Sequence, residues 1–254
     1  MDTIKLNPKR MSVQIQRLLM MMVAIIVASM TITACLEDEN SEENNEENGG
    51  NGGGGVSGKR IKTMVQTTGP IDGAYKTEWS YNSDGTIKRT DHYDEQSKLL
   101  FYQIHTYNSN GTLAKLEAND YTNAKILLYN YSYDSNKKPT KMQGVYYYPD
   151  GSEIPATIDY TFQNGRKIRE VFKMQNIEDL LEYNYDSNGR ITTVTETHNI
   201  VGTRQKTYTY SSDGTLQKVT YPNGYGGSDN RIITREFTWE NGKTTQDIMD
   251  VLRF

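Results

Sequence analysis

The chain has 254 residues, a formal net charge of −4, one cysteine and nineteen tyrosines. A single cysteine excludes an intrachain disulfide framework. Residues 58–254 hold equal numbers of basic and acidic side chains, so no basic footprint argues for nucleic acid as a partner.

Residues 1–34 read as an export signal. Lys5, Lys9, Arg10 and Arg17 precede Leu18 to Ile32, fifteen residues without a charge, short of the roughly 20 that span a bilayer. The basic region is long, so Met11 is an alternative start. The segment ends in Ile32-Thr33-Ala34-Cys35, which resembles the bacterial lipoprotein processing site, where cysteine is lipidated and becomes the first residue. Cys35 is therefore the expected lipidation site, and the membrane, through a lipid anchor, is the first expected partner.

Residues 35–57 read as a tether. Leu36 to Glu43 is dominated by acids, and Gly49 to Gly55 is glycine apart from Asn51. Such composition buries too little apolar area to order itself. Acids placed directly after the cysteine resemble the export signal of surface lipoproteins in Bacteroidota-type Gram-negative bacteria. That resemblance implies an outer-membrane lipoprotein displayed on the cell surface, with a periplasm-facing orientation as the alternative.

Residues 58–254 are one domain built from a repeat. Seven aromatic–polar–aromatic triplets stand ahead of a turn: Trp79/Tyr81, His105/Tyr107, Tyr131/Tyr133, Tyr160/Phe162, Tyr183/Tyr185, Tyr208/Tyr210 and Phe237/Trp239. The copies recur about every 26 residues, a spacing typical of repeat architectures. Period two sends both rings of a pair to the same face of a strand and the polar residue to the other. Asn or Asp then opens a type I turn, and a glycine takes the left-handed position of a G1 bulge. The structural turn glycines are Gly85, Gly111, Gly165, Gly189, Gly214 and Gly242; the third copy has Lys137 instead. Gln163-Asn164-Gly165 and Glu240-Asn241-Gly242 are one residue shorter and read as two-residue Asn-Gly hairpins.

After each turn an apolar residue is often followed by a second one three positions later: Leu113 with Leu116, Ile168 with Val171, Ile191 with Val194, Leu216 with Val219. A flat strand does not place residues three apart on one face, so a bulge must re-aim one of each pair. The domain opens on the second half of a repeat at Gly58 and closes on another after Asn241. The expected fold is all-β: an antiparallel up-and-down meander of about fifteen strands, built from the seven hairpin repeats. So many strands must curl into a single rolled sheet or close into a barrel.

Tyr185-Asp186-Ser187-Asn188-Gly189-Arg190-Ile191-Thr192-Thr193-Val194 resembles the YD repeat of Rhs-type proteins and the repeat domains of unknown function on Bacteroidota lipoproteins. The resemblance implies a β-hairpin repeat domain. It does not imply encapsulation, because Rhs-type shells use many more repeats.

No constellation points to catalysis, a cofactor or a metal. Asp186-x-Asn188-Gly189 resembles the start of a calcium loop, yet the later ligands are missing, and the turn accounts for these residues. His92, His105 and His198 are too far apart in sequence for a ligand spacing, and His105 sits at an aromatic repeat position. The tyrosines are the informative excess. Most are expected to pack on the covered face. Tyr146, Tyr147, Tyr148 and Tyr225 fall outside the repeated pairs, beside irregular loops, and are the candidate ligand-stacking residues. The expected function is a non-catalytic binding module for glycan or an envelope protein, against a spacer lipoprotein with no ligand or, more remotely, a glycan-processing enzyme.

Overall fold

The computed structural model describes residues 58–69, 73–227 and 229–242. Cys35, the export signal and the tether lie outside the described residues. So does the fifteenth strand expected after Asn241. The described residues form fourteen strands: β1 (Lys59–Thr68), β2 (Lys76–Tyr81), β3 (Ile87–Tyr93), β4 (Leu99–Tyr107), β5 (Leu113–Asp120), β6 (Lys125–Tyr133) and β7 (Pro139–Tyr147), then β8 (Glu153–Gln163), β9 (Arg166–Met174), β10 (Ile177–Tyr185), β11 (Ile191–His198), β12 (Gly202–Tyr210), β13 (Leu216–Pro222) and β14 (Ile232–Asn241). Each pairs antiparallel with its neighbours in sequence, and β1 pairs with β14 to close a barrel.

Closure follows from how the repeat is cut. Each hairpin pairs an aromatic strand with the strand after its turn; β14 is an aromatic strand, and β1 is a post-turn strand. Trp239 lies opposite Ile61, as Tyr81 lies opposite Ile87 in the first complete hairpin. β14 and β1 therefore pair as the two strands of each hairpin do.

The turns behave as their chemistry demands. In residues 82–86 the Asn82 amide donates to the Thr86 carbonyl and the Gly85 amide to the Asn82 carbonyl. The same pair of bonds recurs in 108–112, 134–138, 186–190 and 211–215. Gly85, Gly111, Gly189 and Gly214 all have positive φ, and Lys137 adopts φ 61° in the glycine position. Asn164 and Gly165, at φ 52° and 80°, form the two-residue hairpin. Gly242 is a correction. It has no positive φ, and its amide donates to the Gly58 carbonyl, so it extends the β1–β14 ladder and is not a turn glycine. At the opposite end, 94–98, 120–124 and 148–152 repeat the same five-residue turn, with Ser97 and Asn123 at positive φ in place of glycine.

Six hairpins carry a register shift at the second aromatic, for example between Asn184 and Tyr185, and the closing pair carries one between Ile61 and Thr63. The bulge turns both members of an i, i+3 pair inward: Ile191 and Val194 are buried, as are Leu113 and Leu116. In β9 the expectation fails. Phe162 faces inward and pairs with Lys167, and directly paired residues share a face. Lys167 and Glu170 are therefore buried, while Ile168 and Val171 are half-buried on the outside.

The apolar interior divides into a large cluster from β4–β9 (Phe101, Leu116, Tyr129, Ile158, Phe172), one from β1–β3, β13 and β14 (Ile61, Trp79, Leu216, Phe237), and a small one on β10 and β11. The outer wall carries polar groups at mid-strand on successive strands: Asn130, Gln143 and Thr157 in one row, and Arg169, Glu182, Thr195 and Gln205 in another. A lipid-facing barrel needs an uninterrupted apolar band about 25 Å tall, and a charge at the bilayer midplane costs roughly 2–4 kcal/mol. This outer wall is built for water.

Gly189→Val should destabilise the fold by about 1–2 kcal/mol, because a β-branched residue resists the left-handed conformation. Lys137→Gly should stabilise it by about 0.5–1 kcal/mol, since glycine removes that strain at a smaller entropic cost. Urea melts of the two variants check both signs.

Candidate functional site: an aromatic-lined lumen

The parity of burial along each strand turns all seven aromatic pairs into the barrel. The second aromatics, Tyr81, Tyr107, Tyr133, Phe162, Tyr185, Tyr210 and Trp239, form the layer nearest the hairpin turns, and every one is half-buried. The first aromatics form the next layer inward, where Trp79, Tyr183 and Phe237 are buried. Eight strands make a barrel that side chains just fill, and sixteen or more leave an aqueous channel. A fourteen-stranded barrel falls between. Tyr208 and His105 show the consequence. Both are deep enough for desolvation to dominate their titration, raising the Tyr208 phenol and pushing His105 down to about 3. Both nevertheless keep some surface uncovered, so the interior around them is not fully packed.

The mouth rings are held in place by hydrogen bonds. Between hairpins the ladder stops short of the turn end: β1 pairs with β2 only over Thr63–Val65, and β11 pairs with β12 only from Thr193 onward. The carbonyls left over are taken by aromatic donors of the next hairpin. The Tyr81 hydroxyl donates to the Ile61 carbonyl at 2.7 Å, Tyr133 to Leu113 at 2.8 Å, Tyr185 to Lys167 at 2.6 Å and Tyr210 to Ile191 at 3.0 Å. Trp239 Nε1 donates to the Leu216 carbonyl at 2.9 Å. Each ring therefore lies across the wall, spanning two strands.

One sector of the interior is ionic. Glu196 Oε2 accepts from Arg204 Nε at 2.9 Å and lies 3.2 Å from Lys206 Nζ, and its Oε1 accepts from the Tyr225 hydroxyl at 2.7 Å. Despite burial, the two cations hold the Glu196 carboxyl down at about 2. His198 Nδ1 accepts from the Ile200 and Val201 amides, which leaves the proton of the neutral ring on Nε2, 3.7 Å from Asp179 Oδ1. That is too long for a hydrogen bond. Desolvation, with the Glu196 charge nearby, pushes Asp179 up to about 7. Lys167 and Glu170 make a second buried pair at 2.6 Å. The sequence reading missed this ionic sector, although parity could have found it. Arg204 and Lys206 precede Tyr208 and Tyr210 at steps of two, and Glu196 and His198 follow Val194 in the same way.

The four candidate stacking tyrosines do not form one platform. Tyr146 is a correction: it is 0% exposed, its hydroxyl meets that of Tyr129, and its ring packs edge-on against Phe172. Gly144 stands opposite Tyr129 and leaves room for that ring, since a Cβ there would collide with it. Tyr147 faces outward on β7, with Lys125 Nζ 5.8 Å from its ring centroid. Tyr148 packs on the edge of the large apolar cluster. Tyr225 reaches from the loop after β13 onto Glu196, with Arg204 4.4 Å over its ring. Among the described residues no group of three or more His, Cys, Asp or Glu is placed to hold a metal ion.

No family model and no curated protein matches this sequence. Among solved structures, a porin-like protein from Bacteroides uniformis is similar over 72% of this chain and 96% of its own, with 14% identity and a TM-score of 0.46. The Photorhabdus luminescens Tc holotoxin pore (mutation TccC3-D651A) is similar over 66% of this chain and 12% of its own, with 13% identity and a TM-score of 0.20.

A raised carboxyl costs stability as it ionises. Asp179 folded holds its proton up to about 7, whereas unfolded it loses it near 4. The folded state therefore binds more protons across that window, and stability falls as pH rises from about 4 to 7. Asp179→Asn, neutral throughout, should be more stable than the parent at pH 8 by about 4 kcal/mol, with the difference vanishing near pH 4. Denaturant midpoints across this pH range measure it.

Proposed function

We propose that this chain is an envelope lipoprotein, anchored through Cys35 and the tether 35–57, whose barrel binds a glycan chain in its aromatic mouth and performs no chemistry on it. The observation that carries the reading is the ring of seven half-buried inward aromatics at one end of the barrel. Sugars offer CH-rich faces that stack on such rings. A concave mouth suits a narrow chain better than the flat face of a folded partner. The polar outer wall supports a domain held beside the membrane by its tether rather than inserted in it. The YD-like turn signature further supports reading the hairpin as kin to the repeat of Rhs-type proteins, used here in a number that closes on itself.

This reading moves the recognition surface from Tyr146, Tyr147, Tyr148 and Tyr225 to the mouth. The only two tryptophans of the chain, Trp79 and Trp239, both belong to the inward layers and report occupancy directly. Binding on a glycan array should coincide with a change in tryptophan emission and be lost in Tyr210→Ala, while Tyr147→Ala binds normally. A blank array with unchanged emission would favour a spacer without a ligand. In the same cells Cys35→Ser should move the protein to the soluble fraction; continued partition with membranes would sink the anchor.

A further inference from the structure

The rim of the mouth carries several cations, three of them already paired with carboxylates. Lys59 pairs with Asp213 at 2.7 Å, Arg60 with Glu240 at 2.8 Å and Arg190 with Asp186 at 2.8 Å. Arg60 and Arg190 also lie over the mouth rings of Tyr81 and Tyr210, at 4.5 and 4.9 Å. Lys138 and Arg166 occupy the equivalent places over Phe162 and Tyr185, at 5.8 and 5.6 Å. Among the described residues these two have no carboxylate within ion-pair distance. Both are half-buried. Lys138 Nζ lies 3.9 Å from where a Cβ of Gly165 would stand, which puts its ammonium above the Asn164–Gly165 turn, the turn that Arg166 follows in sequence. Lys137 adds a third cation in the same turn as Lys138. The acid of that turn, Asp134, has its Oδ1 occupied by the Asn136 and Lys138 amides.

Lys59, Arg60 and Arg190 on this rim have carboxylate partners, since partly desolvated charge is costly without one. Lys138 and Arg166 are held in place by the rings beneath them and keep donors to offer. A guanidinium fork and an ammonium on the same stretch of rim each suit a carboxylate or a sulfate ester. We infer that Lys138 and Arg166 form an anion-reading subsite on the rim, and that the glycan taken by the mouth is an acidic one, bearing uronic acid or sulfate groups. The inference rests on the luminal reading above and adds the class of ligand. It also assigns the β8–β9 side of the mouth as the place where the acidic group docks, with the sugar ring running inward over the neighbouring aromatics.

The test uses the full chain in detergent on an array of neutral, uronic-acid and sulfated oligosaccharides. Titrations then follow with the best acidic ligand and its neutral counterpart, read by tryptophan emission. Acidic ligands should bind at least about tenfold more tightly than neutral ones, and Lys138→Gln or Arg166→Gln should each remove about tenfold of that preference. Raising salt from 0.1 to 1 M should erode it in the parent. Lys88→Gln, an exposed cation on the outer wall, should change nothing, and thermal melts confirm that all three variants fold. Equal affinity for acidic and neutral ligands, or a preference that survives in both rim variants, overturns the subsite and leaves the luminal reading standing. No binding to any glycan overturns both. Binding to anionic phospholipid vesicles in place of glycans also overturns the inference, since the rim would then be a lipid contact.

Discussion

The structure depends on what happens to one carbonyl per hairpin. Each bulge frees the backbone near the turn from its ladder, and a buried carbonyl without a partner costs about 1–3 kcal/mol. An aromatic donor from the next hairpin takes that carbonyl in five places, from Tyr81 to Trp239. The bond has three consequences. It ties hairpin to hairpin where the strands separate, lays each ring across the wall, and keeps the rings from collapsing into the centre of the mouth. Bulge, tyrosine and turn are thus one device, repeated around the barrel.

Charge inside the barrel is tolerated because it is paired. The β4–β9 sector fills its share of the interior with Leu, Met, Phe and Tyr. Across β10–β12, Glu196, Arg204 and Lys206 satisfy one another within about one hydrogen-bond length, and Tyr225 closes over them from the long loop. Removing one member of such a cluster leaves a buried charge uncompensated, which is why buried pairs are costly to break even where they add little net stability. The ionic sector and the aromatic mouth lie at different depths along the strands.

Much of this was legible in the residues. The period of the aromatic pairs, the Asn/Asp-opened turns and the i, i+3 apolar spacing gave the meander, the bulges and the inward parity. Closure was not written there: the half-repeat at Gly58 and the one expected after Asn241 gave a fifteenth strand, equally compatible with an open rolled sheet. Only the Trp239–Ile61 pairing decides between them. What stayed hidden depended on partners distant in sequence. Lys167 and Glu170 turn inward because a two-residue turn pairs Lys167 with Phe162, against the pull of Ile168 and Val171. Tyr146 sits beside an irregular loop in sequence, yet falls in step with Met142 and Gly144 on the inner face. The unpaired Lys138 and Arg166 are conspicuous only once Arg60 and Arg190 are seen with their carboxylates.

The hydroxyl-to-carbonyl latch is the claim on which the remainder stands, and Tyr185→Phe tests it most directly. The change deletes one oxygen, keeps the ring, and leaves the Lys167 carbonyl without its 2.6 Å donor. Urea unfolding should show a loss of about 1–2 kcal/mol, while Tyr147→Phe on the outer wall should stay within about 0.5 kcal/mol of the parent. Equal, negligible losses from the two would mean that the mouth rings are positioned by packing alone, and would contradict the account.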